Sequence, residues 1–226
     1  MQFSHKLMYD NFTKSDCDVV VRLFKDKNII LTQSKNVKKF ESTWSKWLGV
    51  KYSVFVNSGS SANLLTISIL KILYKKGEII LPSLTWVSDI NSVIQNGFKP
   101  VFVDINPYTL NVDTEKIENS ITEKTKVLLP VHFGGLSCDL DKINSLSKKY
   151  NLKIIEDAAH AAGTNYKSKK IGSHGNAVCF SFHPIKNLAM PTGGLISIND
   201  KNHRKISESL CAKRWCGITN RKKTDY

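Results

Sequence analysis

Two short stretches carry the residues best suited to chemistry. Glu156-Asp157-Ala158-Ala159-His160 follows one apolar run, and Phe180-Ser181-Phe182-His183-Pro184-Ile185-Lys186-Asn187 closes another. Each sets a charged group just past the end of an expected buried strand. Open parallel sheets bind their ligands at the carboxyl edge of the strands, so an acid of the Glu156-Asp157 pair and Lys186 would meet there. An acid and a lysine in one cleft suit pyridoxal phosphate: the lysine holds the aldehyde as a Schiff base, and the carboxylate keeps the pyridine nitrogen protonated. Neither residue decides this singly, because most lysines of a lysine-rich chain are simply solvated.

A third stretch could hold an anion. Ser53–Asn57 reads as a short strand, Ser58-Gly59-Ser60-Ser61-Ala62-Asn63 as a small-residue turn, and Leu64, Leu65, Ile67, Leu70, Ile72 and Leu73 as a helix. Strand, turn and helix in that order present free backbone N–H groups and hydroxyls to a phosphate. An ordinary serine N-cap would explain the same residues. Lacking G-x-G-x-x-G and the Walker lysine, the turn is neither a dinucleotide fingerprint nor a P-loop. Trp86, in Pro82-Ser83-Leu84-Thr85-Trp86, could lie on a cofactor ring; for a lone tryptophan, packing in the core is the favoured reading.

These residues need a scaffold, and the chain supplies an alternation. Strands are expected at 78–81, 99–103, 126–131 and 153–156, with helices at 87–95, 112–119 and 139–150 between them. Short apolar strands between amphipathic helices indicate an α/β fold with a largely parallel sheet. Residues 177–182 and 195–198 read as a closing antiparallel or mixed section, punctuated by Gly193-Gly194, and 201–213 as a helix. Ahead of all this, residues 1–50 read as a helical lead-in. Ser15 or Asp16 would cap a short helix bearing Val19, Val20, Leu23 and Phe24, and Val37, Phe40, Trp44 and Leu48 recur at helical spacing in the next. The end, 219–226, is polar.

Composition narrows the function classes. The 226 residues are 41% hydrophobic with no run near the roughly eighteen apolar residues of a membrane span, and the first residues lead into no signal-peptide core. Five scattered cysteines without a Cys-x-x-Cys pair read as reduced thiols of a cytoplasmic protein. The net charge of +14 would ordinarily raise nucleic acid as a partner, but the excess is mostly lysine. Arginine, the preferred reader of bases and phosphates, is scarce. A solvated lysine surface explains the charge, and a field that attracts a phosphorylated substrate is its useful side. Neither a nucleic-acid partner, a membrane nor a metal is expected.

Taken together, the segments resemble the DegT/DnrJ/StrS group of sugar aminotransferases. The resemblance rests on Asn57-Ser58-Gly59-Ser60-Ser61-Ala62, Pro82-Ser83-Leu84-Thr85-Trp86-Val87, Pro100-Val101-Phe102-Val103-Asp104, Pro130-Val131-His132, Glu156-Asp157-Ala158-Ala159-His160-Ala161 and Ser181–Asn187, in the family's order. Each is weak alone; the ordered set is specific. It implies the large domain of a fold-type-I pyridoxal-phosphate transferase, three layers of α/β/α around a mostly parallel sheet, over residues 51–226. By resemblance Lys186 is the lysine that bonds the cofactor, Asp157 the partner of the pyridine nitrogen and Trp86 the ring stack. His160 lies beside Asp157, and Ser60, Ser61 and Ser181 hold the phosphate.

The same resemblance implies transfer of an amino group from an amino acid, glutamate in the first instance, to a nucleotide-linked keto-sugar, in polysaccharide or glycan biosynthesis. The Pro-Ser-Leu-Thr-Trp and His-Pro-Ile-Lys-Asn segments look most like members that aminate the fourth carbon. A related 3-dehydratase has histidine at the Schiff-base position, and Lys186 argues against it. A non-catalytic cofactor-binding fragment is the reading from a different class. Members form homodimers and carry a small domain beyond the residues present here, so the chain is expected to be incomplete. Members also commonly read Gly-Glu-Gly-Gly after the lysine, where this chain has Pro191-Thr192-Gly193-Gly194.

Overall fold

The computed structural model describes residues 12–27, 29–30 and 34–199. Two helices lead, α1 (Lys14–Phe24) and α2 (Lys35–Leu48). Strands and helices then alternate as β1 (Tyr52–Val56), α3 (Gly59–Leu73), β2 (Glu78–Pro82), α4 (Val87–Gln95), β3 (Lys99–Val103), α5 (Thr114–Ile117) and β4 (Thr125–Leu128). After these come α6 (Leu140–Tyr150), β5 (Lys153–Asp157), the small hairpin β6 (Asn165–Tyr166) and β7 (Lys169–Lys170), then β8 (Ala177–Ser181) and β9 (Gly194–Ile198). The seven-stranded sheet runs β1-β9-β8-β5-β4-β2-β3. All its strands are parallel except β9, which pairs antiparallel with both β8 and β1.

The strands read as continuous apolar runs because both faces of the sheet are covered. With a side-chain period of two, alternate residues feed two separate cores. Ile79, Leu81, Val127, Ile155, Cys179 and Ile196 pack with Ala62, Ile67 and Leu70 of α3 and Val93 of α4. Ile80, Leu128, Ile154, Val178, Phe180 and Leu195 face the other way, onto Trp44 and Leu48 of α2 and Leu140, Ile143 and Leu146 of α6. This is the expected α/β/α layering. Edge-to-face contacts of Trp44 with Phe180 and Phe182 weld α2 to the middle of the sheet.

Several local expectations shift. Thr13, not Ser15 or Asp16, caps α1; its hydroxyl accepts from the Asp16 amide while the Asp16 carboxylate accepts from the Thr13 amide, a reciprocal capping box. The helix expected over 112–119 shrinks to α5 and a 3-10 turn, because the Asp113 side chain captures the Glu115 amide and Val112 bridges to Ile105. β4 stops at Leu128, short of the expected Val131, since Pro130 has no N–H to extend the ladder. On α1, Val19, Val20 and Phe24 stay exposed, and the helix has no buried residue. The helix expected at 201–213, Trp215, Cys211, Cys216 and the polar end lie outside the described residues. Among those residues, no helix is long and apolar enough to cross a membrane.

Candidate functional site

The carboxyl edge of the parallel strands gathers the predicted residues. Asp157 is the last residue of β5, with its side chain on the α3–α4 side of the sheet, as the alternation from Ile155 requires. Its backbone is tied on both sides, the Asp157 amide to the Pro130 carbonyl at 2.9 Å and the His132 amide to the Asp157 carbonyl at 3.0 Å. Glu156 points to the opposite face and is fully buried. Its carboxylate accepts the Gly175 amide at 2.6 Å and faces His132 Nε2 at 3.0 Å. Because His132 Nδ1 accepts the Cys138 amide at 3.1 Å, the ring proton sits on Nε2 and donates to Glu156. One member of the acidic pair therefore anchors the strand and leaves the other for the cleft.

Asp157 Oδ1 accepts the Ala159 amide at 2.8 Å, and Oδ2 accepts Asn63 Nδ2 at 3.2 Å. The same Asn63 amide also donates to Asp89 Oδ1 in α4, while Thr85 donates its hydroxyl to Asp89 Oδ2. Asn63, Asp89 and Thr85 thus link the α3 turn and the Trp86 loop to Asp157. Burial, then the neighbouring Asp157 charge, holds the Asp89 carboxyl well above the usual range.

Lys186 follows β8 in a turn closed by its amide on the His183 carbonyl at 2.8 Å. Its half-buried ammonium is depressed by burial, and the Asp157 charge partly restores it. The same pair acts on His160, which burial and the Lys186 charge push down and Asp157 pulls up. Lys186, Asp157 and His160 therefore share one cleft within electrostatic reach of each other. His160 Nδ1 accepts the Gly134 amide at 3.2 Å, which fixes the ring and leaves Nε2 as the donor.

The Ser58 turn lies at the same edge, beside Ser181 and Gly193. Ser58 is the N-cap of α3, its hydroxyl accepting the Ser61 amide at 3.1 Å. The cap reading of this turn is correct, and it leaves the Gly59 and Ser60 amides without acceptors among the described residues. Ser181, at the end of β8, lies against the turn: a Cβ on Gly59 would stand 2.7 Å from the Ser181 Cβ. Two free amides with the hydroxyls of Ser60 and Ser181, at the positive end of a 15-residue helix, are a fit for a phosphate. Thr192, where an acid is common, donates its hydroxyl to the Asn57 carbonyl at 2.6 Å and pins the loop after Lys186 to the end of β1.

Trp86 overturns the core reading favoured for it alone. It stands at the head of α4 with 69% of its surface exposed, at the same sheet edge, where none of the described residues buries its ring. Asn63 and Asp89 were missed as site residues. Asp89 had a readable signal, an acid one helical turn before the fully buried Val93 on the inward face of α4. Asn63 had none, because it looked like the tail of a serine-rich turn.

In sequence and in fold the chain is similar to known proteins. The spore coat polysaccharide biosynthesis protein SpsC of Bacillus subtilis is 42% identical over 171 residues, 76% of this chain and 44% of that protein. The structure of Helicobacter pylori PseC, an aminotransferase involved in the biosynthesis of pseudoaminic acid, superposes with a TM-score of 0.90 at 29% identity. It covers 97% of this chain and 58% of PseC. The Escherichia coli GDP-4-keto-6-deoxy-D-mannose-3-dehydratase with bound hydrated PLP superposes at 0.86 with 30% identity, over 93% of this chain and 54% of that one. The chain spans about half the length of the curated relatives it matches. Its fold is that of fold-type-I pyridoxal-phosphate enzymes, and, with residues 13–226 matched, the chain belongs to the DegT/DnrJ/EryC1/StrS aminotransferase family.

Proposed function

We propose that this chain is the cofactor-binding part of a pyridoxal-phosphate aminotransferase that moves an amino group from an amino acid to a nucleotide-linked keto-sugar. The observation that carries the reading is the meeting of Lys186, Asp157 and the Ser58 turn in one cleft at the carboxyl edge. The cofactor, when bound, supplies an electron sink that stabilises a carbanion at the amino carbon. Lys186 is the amine that would hold its aldehyde. Burial keeps more of that amine unprotonated near neutral pH than in a solvated lysine, so the same group can afterwards take and return a proton. Asp157 would keep the ring nitrogen protonated, and the Gly59 and Ser60 amides with Ser60, Ser61 and Ser181 would hold the phosphate. Trp86 offers an exposed face for the ring, and His160 Nε2 a donor beside it. The unit that would do this is residues 51–226, with the α2 packing as its support, and a homodimer is its expected assembly.

A 3-dehydratase is the reading to set against this one, given the structural likeness to such an enzyme. Lys186 favours the aminotransferase, because an amine is needed to bond the aldehyde. The test is direct. Added pyridoxal phosphate should give the protein a visible absorption band, borohydride should fix the label on Lys186 as read by peptide mass spectrometry, and Lys186→Ala should abolish the label. Label on another lysine, or an unchanged label in Lys186→Ala, would sink the assignment.

A further inference from the structure

Asp89 has none of its surface exposed. Its neighbours are the Thr85 hydroxyl, the Asn63 amide and the Asp157 carboxyl, and no lysine or arginine among the described residues reaches it. One Asn63 Nδ2 group donates to both acids, to Asp89 Oδ1 and to Asp157 Oδ2 at 3.2 Å, so the two carboxyls sit side by side on one donor. Two such groups in a buried place cannot both ionise. Asp157 is the better seat for the charge, since its Oδ1 accepts the Ala159 amide and Lys186 faces it across the cleft. Asp89 has only neutral partners besides Asp157.

We propose that Asp89 is a neutral carboxylic acid at physiological pH, whose proton is held towards Asp157 so that the pair carries one negative charge, seated on Asp157. Asp89 is then a positioning residue. It orients Asp157 jointly with Asn63 and fixes the charge that the cleft presents. Burial, followed by the Asp157 charge, moves Asp89 in the direction this requires. The other titratable group facing the pair is Cys179, next to Asp157 across the β5–β8 pairing and raised by burial, so it stays a thiol. Lys186 and His160 face Asp157 from the cleft side. The purpose given to this proton rests on the function proposed above; the proton itself does not need the cofactor.

The test uses the protein without added cofactor. The side-chain carboxyl carbon of Asp89 is followed by NMR across pH, assigned through its own backbone and checked by its loss in Asp89→Asn. The expected midpoint lies well above the ordinary aspartate value of about 3.9. A group whose folded pKa is raised stabilises most fully below its unfolded pKa, and that stability is lost as pH rises towards the folded pKa. The urea midpoint of Asp89→Asn, which mimics the neutral acid, should therefore gain on the native protein between about pH 4 and about pH 7. Titration of Asp89 in the ordinary range, or an Asn variant that falls behind as pH rises, would overturn the proposal. If Asp89→Asn does not fold, the native titration decides alone. A high Asp89 midpoint in a protein that takes no label on Lys186 would refute the cofactor reading and leave this one standing.

Discussion

The chemistry of the cleft comes down to how three side chains share their charges. Lys186 is pulled down by burial and up by Asp157, and His160 is pulled down by burial and by the Lys186 charge and up by Asp157. Replacing Asp157 by Asn removes a charge that supports the Lys186 ammonium. The Lys186 midpoint, read by NMR of the dimethylated amine, should lie below that of the surface lysines in the native protein and fall further in Asp157→Asn. A midpoint that rises in the variant would mean that Asp157 does not face Lys186. Trp44 and Trp86 make the same point about context. One residue type serves as a buried anchor in α2 and as an exposed plate at the head of α4.

At the scale of elements, the site is made where strand ends and helix starts are forced close together. β9 runs against the sheet's direction and begins at Gly194, directly under the Ser58 turn. A Cβ on Gly194 would fall inside the van der Waals contact of the Ser58–Gly59 peptide, which is backbone and cannot swing aside as a side chain would. Gly194→Ala should therefore destabilise the protein by about 2 kcal/mol or more, the usual scale of forced overpacking, as measured by urea unfolding. It should also weaken pyridoxal phosphate uptake, because the turn it displaces supplies the Gly59 and Ser60 amides. Wild-type stability in that variant would show that the approach is looser than it stands here.

For the whole molecule, the two cores on either face of the sheet decide what is indispensable. Trp44 touches Phe40, Trp47, Phe180 and Phe182 by its ring, so α2 is part of the core. Trp44→Ala should cost about 3–5 kcal/mol in urea unfolding, as truncations of buried aromatics do. Trp86→Ala should change stability by no more than about 0.5 kcal/mol, as exposed substitutions do. Equal losses at the two positions would contradict the burial pattern on which the description of the cleft depends.

Much of this was legible in the residues alone. Strand and helix order followed from the period of the apolar residues, because burial on two faces leaves the same mark in any such sheet. The acidic pair, Lys186 and the serine turn could be brought together because strands of one direction deliver their ends to one edge, and the family resemblance picked Asp157 from the pair. The sequence could not show which acid of Glu156-Asp157 faces the cleft. That depends on strand register, which sends Ile155 and Asp157 to one face and Glu156 to His132 on the other. Nor could it show that Trp86 is exposed, or that Asp89 shares Asn63 with Asp157, which lies far along the chain. Those are contacts between helices and strands remote in sequence. Local periodicity reports which face of an element is buried; only the packed tertiary structure decides what that face meets.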